Sequence, residues 1–384
     1  MQKQKLAPEI RFSGYNTEWN LKTLEQIVEI TFGQSPLSIY YTDKKTDHIL
    51  VQGNADVKNR WVYPRIYTSQ ITKRAFIGDI IFSVRAPVGS VARSNYDIVI
   101  GRGVAAIKGD DFIYFNLLWK EISQFWKSKS SGSTFDSIAS LELEKSEISV
   151  PSDLSEQQKI GQFFSNLDSL IQSQELKLEK LNEVKQSLLN KMFALKNQKF
   201  PQIRFKGFED EWNLDKVCNL FKITRGEVLS QNQISEFQNE IYTYPVYSSQ
   251  TLRNGLMGYY KEYLFENCIT WTTDGANAGT VKFRNEKFYC TNVCGVLEQG
   301  ILKPNSCVAE LLNIVAPNYV TRAGNPKLMN STMGEIMINY PNSTIESSKI
   351  STLFMSIDSL ISSQELKLEK LNNIKQALLE KMFC

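Results

Sequence analysis

The segment QELKLEKLN stands at residues 174–182 and again, letter for letter, at residues 364–372. The match continues on both sides, so that residues 168–193 and 358–383 agree at 21 of 26 positions. Chance does not produce such an identity in a chain of 384 residues. It is an internal duplication, and any fold of this chain must accommodate the same element twice. A second pair of anchors opens each copy. PEIRF followed by Trp19-Asn20-Leu21 returns as PQIRF followed by Trp212-Asn213-Leu214, so the repeat unit is about half the chain.

The repeated element has a period. From Ile160 the apolar positions step by four and three in alternation through Phe164, Leu167, Ile171, Gln174, Leu178, Leu181, Lys185, Leu188 and Met192. The second copy runs Ile350, Phe354, Ile357, Ile361, Gln364, Leu368, Leu371, Lys375, Leu378 and Met382. A 3.5-residue period held over four heptads, with neither Gly nor Pro from Gln162 to the end of the ladder, predicts a coiled-coil seam. Pro151 with Ser155 and Gln158, and Pro341 with Ser343 and Glu346, fit helix caps. A core-facing helix of a globular bundle would show a similar stripe, but the unbroken alternation and its recurrence favour the long coil. The polar seam residues then choose a partner. If the two helices pack antiparallel, setting Gln174 opposite Lys375 also sets Lys185 opposite Gln364, and every other layer is apolar. A slipped register would strand a polar group against leucine. The expectation is an intramolecular antiparallel coil of about 26 to 33 residues.

Between the helices the pattern changes. Short apolar runs such as GDIIFSV and CITWTT, broken by Gly, Asn, Pro and Ser, predict strands with some helix. The fold class is therefore α+β: two tandem α+β heads separated by two long helices, in a pseudo-two-fold arrangement. The expected boundaries are 1–150 for the first head, 151–197 for its helix, 198–342 for the second head and 343–384 for the second helix. The heads have diverged far more than the helices, yet islands persist: YTSQ against YSSQ, Pro87-Val-Gly89 against Asn277-Ala-Gly279, and the exits Ile148-Ser-Val-Pro151 and Ile338-Asn-Tyr-Pro341. A spacer held nearly constant between two differing heads suggests that two different things are held at a set distance.

Catalytic constellations are scarce. The one histidine, His48, reads as a solvated residue in a polar loop beside Asp47; it rules out a histidine-rich metal centre and leaves any Ser-His-Asp triad resting on that residue alone. Neither a GxSxG elbow nor a GxxxxGK[ST] phosphate loop is present, and no Asn/Asp-Pro-Pro-aromatic tetrad. Asp168, Glu175 and Lys177 echo a nuclease pattern but lie on the coil and recur with it. Cys218, Cys268, Cys290, Cys294, Cys307 and Cys384 all fall in the second half without CxxC spacing, which reads as buried or free thiols. The chain reads as non-catalytic, with no metal and no cofactor of its own. No apolar run reaches 18 residues and MQKQKLAPEI lacks an apolar leader segment, so the expectation is a cytoplasmic protein with no membrane partner.

Charge carries more information in its distribution than in its net value of +3. Residues 58–108 hold nine basic side chains against two acidic ones, whereas residues 247–330 hold eight against six. Local basicity concentrated in the first head suits a polyanion. In duplex DNA, Gln pairs well with adenine and Arg with guanine, while hydroxyls and Lys serve phosphates. Candidates in the first head are Arg65, Tyr67, Ser69, Gln70, Lys73 and Arg74, then Arg85 and Arg93, and Lys127, Lys129 and Ser133. In the second head they are Tyr247, Ser249, Gln250, Arg253 and Asn254, then Asn277, and Arg322, Asn325 and Lys327. Any one of them could equally be an ordinary solvated turn residue; clustering and recurrence carry the inference.

The head openings PEIRF…EW and PQIRF…EW, the exit Glu156-Gln-Gln-Lys-Ile160 running into Leu167-Asp168-Ser-Leu-Ile, and the KLEKL…KMF helix together resemble the specificity subunit of type I restriction-modification enzymes, the HsdS family. The second exit departs from the pattern, reading Glu346-Ser-Ser-Lys-Ile350 without the glutamines. The resemblance implies that each head is a target recognition domain reading one half of a bipartite site in double-stranded DNA. It implies that the helices space the heads and dock two methyltransferase (modification) subunits, which bind S-adenosylmethionine, and that separate restriction/motor subunits cleave. A helix of 26 to 33 residues spans roughly 40 to 50 Å, or roughly 12 to 15 base pairs, which leaves room for a gapped site. From the residues alone, a stand-alone bipartite DNA-binding protein and a coiled-coil adaptor with protein-binding heads remain open alternatives.

Overall fold

The computed structural model describes residues 7–129, 136–195, 198–249 and 252–384. Both long helices form, at Leu154–Met192 and Thr344–Met382, with 39 residues each. Every ladder position of either helix is buried or half-buried, and between residues 172 and 186 every other position is exposed. So narrow a stripe is the signature of a seam rather than of a broad core-facing side. The first helix starts differently from the sequence reading. Asp153, not Ser155, is the cap: its Oδ1 accepts the Ser155 N–H at 2.8 Å, and the Gln157 amide donates to the Pro151 carbonyl at 2.9 Å. The second starts as read, with Ser343 Oγ accepting the Glu346 N–H at 3.4 Å.

Packing divides the chain into two compact units, residues 1–175 with 366–384 and residues 176–365. Each contains one head with the adjoining half of one long helix and the opposite half of the other.

In the first unit, Asn20–Thr23 pairs antiparallel with Glu147–Val150, tying the head's opening to its exit. A six-stranded sheet runs Glu29–Phe32, Val104–Lys108, Ile80–Ser83, Val91–Arg93, Trp61–Val62, Val57–Lys58, and a five-stranded sheet runs Tyr41–Thr42, Ile66–Thr68, His48–Val51, Ile98–Ile100, Arg74–Ala75. Residues alternate faces along each strand, so each sheet offers two surfaces. Ile81, Ala92, Val104 and Ala106 of the first sheet meet Val51, Ala75, Ile98 and Ile100 of the second in one core. Ile80, Phe82, Val91 and Ala105 turn the other way, onto helix Asp111–Ile122, onto Ile160, Phe164, Leu379 and Met382 of the long helices and onto Phe383 just beyond the second. The Phe164 and Phe383 rings lie 5.8 Å apart, tilted to one another, and Lys375 Nζ lies 2.5 Å from Asp168. Position rises along one helix as it falls along the other, so the segments run antiparallel. His48 opens a strand opposite Thr68 and is exposed, rather than sitting in a loop.

The second unit repeats the inner part of this plan. Asn213–Lys216 pairs with Met337–Tyr340, and one six-stranded sheet runs Phe221–Arg225, Cys294–Gln299, Phe265–Thr272, Val281–Cys290, Tyr244–Tyr247, Leu256–Tyr260. Ile269, Trp271, Val281 and Leu297 face helix Ser306–Val315, Leu189, Met192, Ile350 and Phe354 of the long helices, and Phe193 just beyond the first. Phe193 and Phe354 lie 5.6 Å apart and Lys185 Nζ lies 2.6 Å from Asp358, again antiparallel. These are the contacts of the first unit moved by 190 residues.

The recurring pentapeptides now have a cause. Arg11 of PEIRF grips Glu156 with two hydrogen bonds of 2.5 and 2.8 Å, and Arg204 of PQIRF grips Glu346 at 2.6 and 2.9 Å. Both carboxylates are fully buried. Losing one partner of such a pair leaves an uncompensated charge and costs about 3–5 kcal/mol. The Pro87/Asn277 island is a turn whose Gly89 and Gly279 have φ +84 and +86. A Cβ on Gly89 would stand 2.2 Å from the Trp126 ring.

Candidate nucleic-acid interface

In the first head the five-stranded sheet gathers most of the candidates. Tyr67 lies on Ile66–Thr68 and Arg74 on Arg74–Ala75, with Ser69, Gln70 and Lys73 on the segment between and Arg65 just before. Lys73, Arg74, Arg65 and Ser69 are exposed and Tyr67 is half-buried. None of the arginines is engulfed: Arg74 stands 4.0 Å from Asp97, and Arg65 donates to the Ala55 carbonyl at 2.9 Å. Gln70 is partly committed, since its amide oxygen accepts the Leu37 N–H at 2.9 Å. An adenine contact would be left to its amide nitrogen or would require that bond to open.

A second cluster forms where the turn after Ile80–Ser83 meets the chain beyond helix Asp111–Ile122. Exposed Arg85 bridges to Ser137, and the Ile138 N–H donates to the Val84 carbonyl at 3.0 Å. Exposed Lys127 donates to Gln124 at 3.1 Å, and Lys129 lies 3.9 Å from Glu142. Ser133 falls outside the described residues. The second head builds the same junction: the Leu328 N–H donates to the Thr273 carbonyl at 2.9 Å, and Lys327 bridges to Asp274. Asn277, Arg322, Asn325 and Lys327 are thereby brought together, all exposed.

The YSSQ cluster of the second head is arranged otherwise. Tyr247 is buried, its hydroxyl donates to Glu286, and the Arg284 guanidinium stacks 3.6 Å over its ring. Burial, and then the bond to Glu286, push the phenol pKa up. Asn254 is exposed at φ +60, and its carbonyl accepts from Arg284 at 2.8 Å. Ser249 is half-buried. Gln250 falls outside the described residues, as does the side chain of Arg253. Arg93 of the first head is likewise turned inward, 2.6 Å from Asp111 and 4.1 Å over the Tyr114 ring. Arg93 and Tyr247 therefore serve packing in this structure.

A sequence model of the family described as "Type I restriction modification DNA specificity domain" matches residues 16–186 and again residues 209–375. The chain belongs to that family. Over 142 residues it is 39% identical to the N-terminal part of a candidate type I specificity subunit of Mycoplasma pneumoniae, a match covering 36% of this chain and 73% of that one. Over 144 residues it is 35% identical to the specificity subunit of the type I restriction enzyme MpnII of the same organism, covering 36% of this chain but only 42% of that one, less than half of its length. The crystal structure of the type I restriction-modification S subunit from M. genitalium superposes with a TM-score of 0.76 at 17% identity, over 98% of this chain and 99% of that one. Two tandem α+β domains and the long helices are thus the fold of this specificity-domain family.

On the helices of this specificity chain, Gln174 and Gln364 are buried, as seam residues must be. The lysines reach carboxylates that the sequence reading had not paired with them. Lys375 meets Asp168, while Lys185 meets both Asp358 and, at 2.9 Å, Glu310 of helix Ser306–Val315. Burial alone would lower the Lys185 pKa, but the two carboxylates outweigh it and hold it above the ordinary value. Away from the seam, Leu170, Leu176 and Val184 are exposed, and so are their repeats Leu360, Leu366 and Ile374. Sequence reasoning also missed Arg284 and Lys120, whose burial depends on distant strands and rings. Among the described residues no cluster of His, Cys, Asp or Glu could hold a metal, and no helix is long and apolar enough to cross a membrane.

Proposed function

We propose that this chain is the sequence-reading, non-catalytic subunit of a type I restriction-modification complex. One observation carries the reading: a nearly invariant helical frame is repeated, and the two heads on it present different polar surfaces. The heads, residues 1–150 and 198–342, would each read half of a bipartite site in double-stranded DNA. In the first head, exposed Lys73, Arg74 and Arg65 support phosphate and base-edge contacts. In the second, the Arg322–Lys327 junction and Asn277 support the same role.

The helical regions, 151–197 and 343–384, would set the gap and dock two methyltransferase subunits. The twice-repeated exposed apolar rows support docking, because such rows on a helix whose other side is already packed attract a partner. S-adenosylmethionine would belong to those subunits, as DNA translocation and cleavage would belong to restriction/motor subunits, all in the cytoplasm. This chain would supply the address and its partners the reaction.

Methylation mapping of a host with and without this gene tests the reading. A bipartite motif should vanish on deletion, and replacing residues 198–342 with a head from another family member should change one half-site only. Adding one heptad to each helix, about 10 Å, should widen the gap by about three base pairs. An unaltered motif after the head exchange would refute the assignment of reading to the heads.

A further inference from the structure

We propose that the first head inserts an apolar wedge, Ile77 backed by Phe76, against a base-pair step of its half-site, and that the second head does not. The proposal rests on the DNA-reading role above and specifies how one half-site is engaged.

The turn between strands Arg74–Ala75 and Ile80–Ser83 displays Phe76 at 43% and Ile77 at 69% exposure. Side chains of that size in water forgo a favourable transfer, so a second apolar surface would be gained by either. The display is rigid. The Phe76 N–H donates to Asp79 Oδ2 at 2.8 Å, Ile77 N–H to Asp97 Oδ1 at 3.2 Å, Gly78 N–H to the Ser94 carbonyl at 2.8 Å and Asp79 N–H to the Phe76 carbonyl at 3.0 Å. Gly78 has φ +94, where a side chain would be strained. With every donor of the turn satisfied, little ordering entropy remains to be lost on contact.

The surroundings favour duplex DNA as the occupant. Lys73 and Arg74 lie just before the tip and are exposed; the Arg74 guanidinium sits 5.2 Å over the Phe76 ring and 4.0 Å from the Asp97 carboxylate that holds the Ile77 N–H, and so offsets that charge. Cations placed beside an apolar tip are what a wedge needs, since the phosphates hold the backbone while the side chain enters between bases and unstacks them. The adjoining turn adds exposed Tyr96.

The second head lacks the device. The Gly89 N–H donates to the Ser83 carbonyl and the Gly279 N–H to the Thr272 carbonyl, both at 2.9 Å, which aligns the two strands. That alignment sets Phe265-Glu266-Asn267 against Phe76-Ile77-Gly78. Asn267 repeats the left-handed backbone at φ +53, but Glu266 takes the place of Ile77, and a carboxylate there is repelled by phosphates.

The test uses the full chain assembled with its methyltransferase partner and a duplex carrying the motif found by methylation mapping. 2-Aminopurine is placed at successive positions other than the methylated adenine, because base flipping would perturb that position by itself. Wild type should show a several-fold fluorescence rise at one step of the first half-site. Ile77→Ala and Ile77→Glu should abolish the rise and weaken binding on the order of tenfold, and Ile77→Leu should retain both. An unchanged melting temperature for Ile77→Ala shows that folding is intact. If the wild-type complex binds no duplex, the DNA-reading role falls together with the wedge. If it binds with no unstacked step, or if Ile77→Ala keeps the wild-type signal and affinity, the wedge alone is overturned. Loss of methyltransferase co-purification in Ile77→Ala would make the tip a protein contact and overturn it equally.

Discussion

Helix Asp111–Ile122 of the first head and helix Ser306–Val315 of the second occupy the same place and begin in the same way. Asp110 accepts the Ile113 N–H and Asn305 accepts the Val308 N–H. From those caps the two helices can be compared position by position. Where the second has Glu310, the first has Phe115. Where the second has Leu311 and Val315, the first has Asn116 and Lys120. Each helix meets a seam lysine, but Lys185 finds a carboxylate whereas Lys375 finds the Phe115 ring, 5.7 Å away. The first head carries its own buried polar groups in return. Asn116 is fully buried with no hydrogen-bond partner for either amide atom among the described residues, and Lys120 lies 3.7 Å over the Phe125 ring. The lesson is that a duplicated scaffold tolerates different internal chemistry in its two copies, provided that the anchoring pair is kept.

The anchor gives the sharpest test of that lesson. Arg11→Ala and Arg204→Ala should each destabilise by about 3–5 kcal/mol in chemical denaturation, because each strands a buried glutamate. Equal effects would confirm that the two copies share one foundation; a silent Arg204→Ala would break the comparison. Next comes Lys120. Burial lowers its pKa from 10.5 to about 8, so folding releases a proton from it only between those two values, and below them the folded state holds the charge buried. The resulting penalty is full below about pH 8 and fades as pH rises through 10.5. Lys120→Met should therefore raise stability at pH 7, by at most about 3 kcal/mol. Its advantage over wild type should shrink in melts taken toward pH 10.

Asn116→Leu, which copies the second head, should stabilise by about 1–3 kcal/mol, since it removes an unpaired buried amide. Glu310→Gln should cost less, about 1 kcal/mol, because Asp358 still holds Lys185. The folded pKa of Lys185 is raised, so the stability it contributes is complete below its unfolded value and is lost as pH rises through the folded one. Wild type should lose that increment at alkaline pH and Glu310→Gln should lose less of it, as parallel melts would show.

The long helices were legible in the sequence because a heptad period is a local property, visible in Ile160 to Met192 without knowing what packs on it. Their caps were half legible. Ser343 competes with no nearer acid, whereas Asp153 precedes Ser155 and takes the first-turn N–H. The sheets were not legible in detail. Strands as short as Arg74–Ala75 and Tyr41–Thr42 carry too few residues to show alternation, and their pairing is decided by segments tens of residues away. The same distance hides the fates of individual candidates. Arg93 and Arg74 look alike in sequence, but Arg93 meets Asp111 from a following helix and turns inward. Tyr247 and Tyr67 both open a Tyr-x-Ser-Gln motif, yet only Tyr247 finds Arg284 and Glu286 to bury it.

The first compact unit is closed by residues 366–384, with Met382 and Phe383 in its core. On the ribosome this means that the head made first waits longest. Its last hydrophobic contacts can form only after the whole second unit has emerged, while the second unit is continuous in sequence and needs nothing made later. A nascent chain halted before residue 366 should therefore leave the earlier head, not the later one, exposed to proteases.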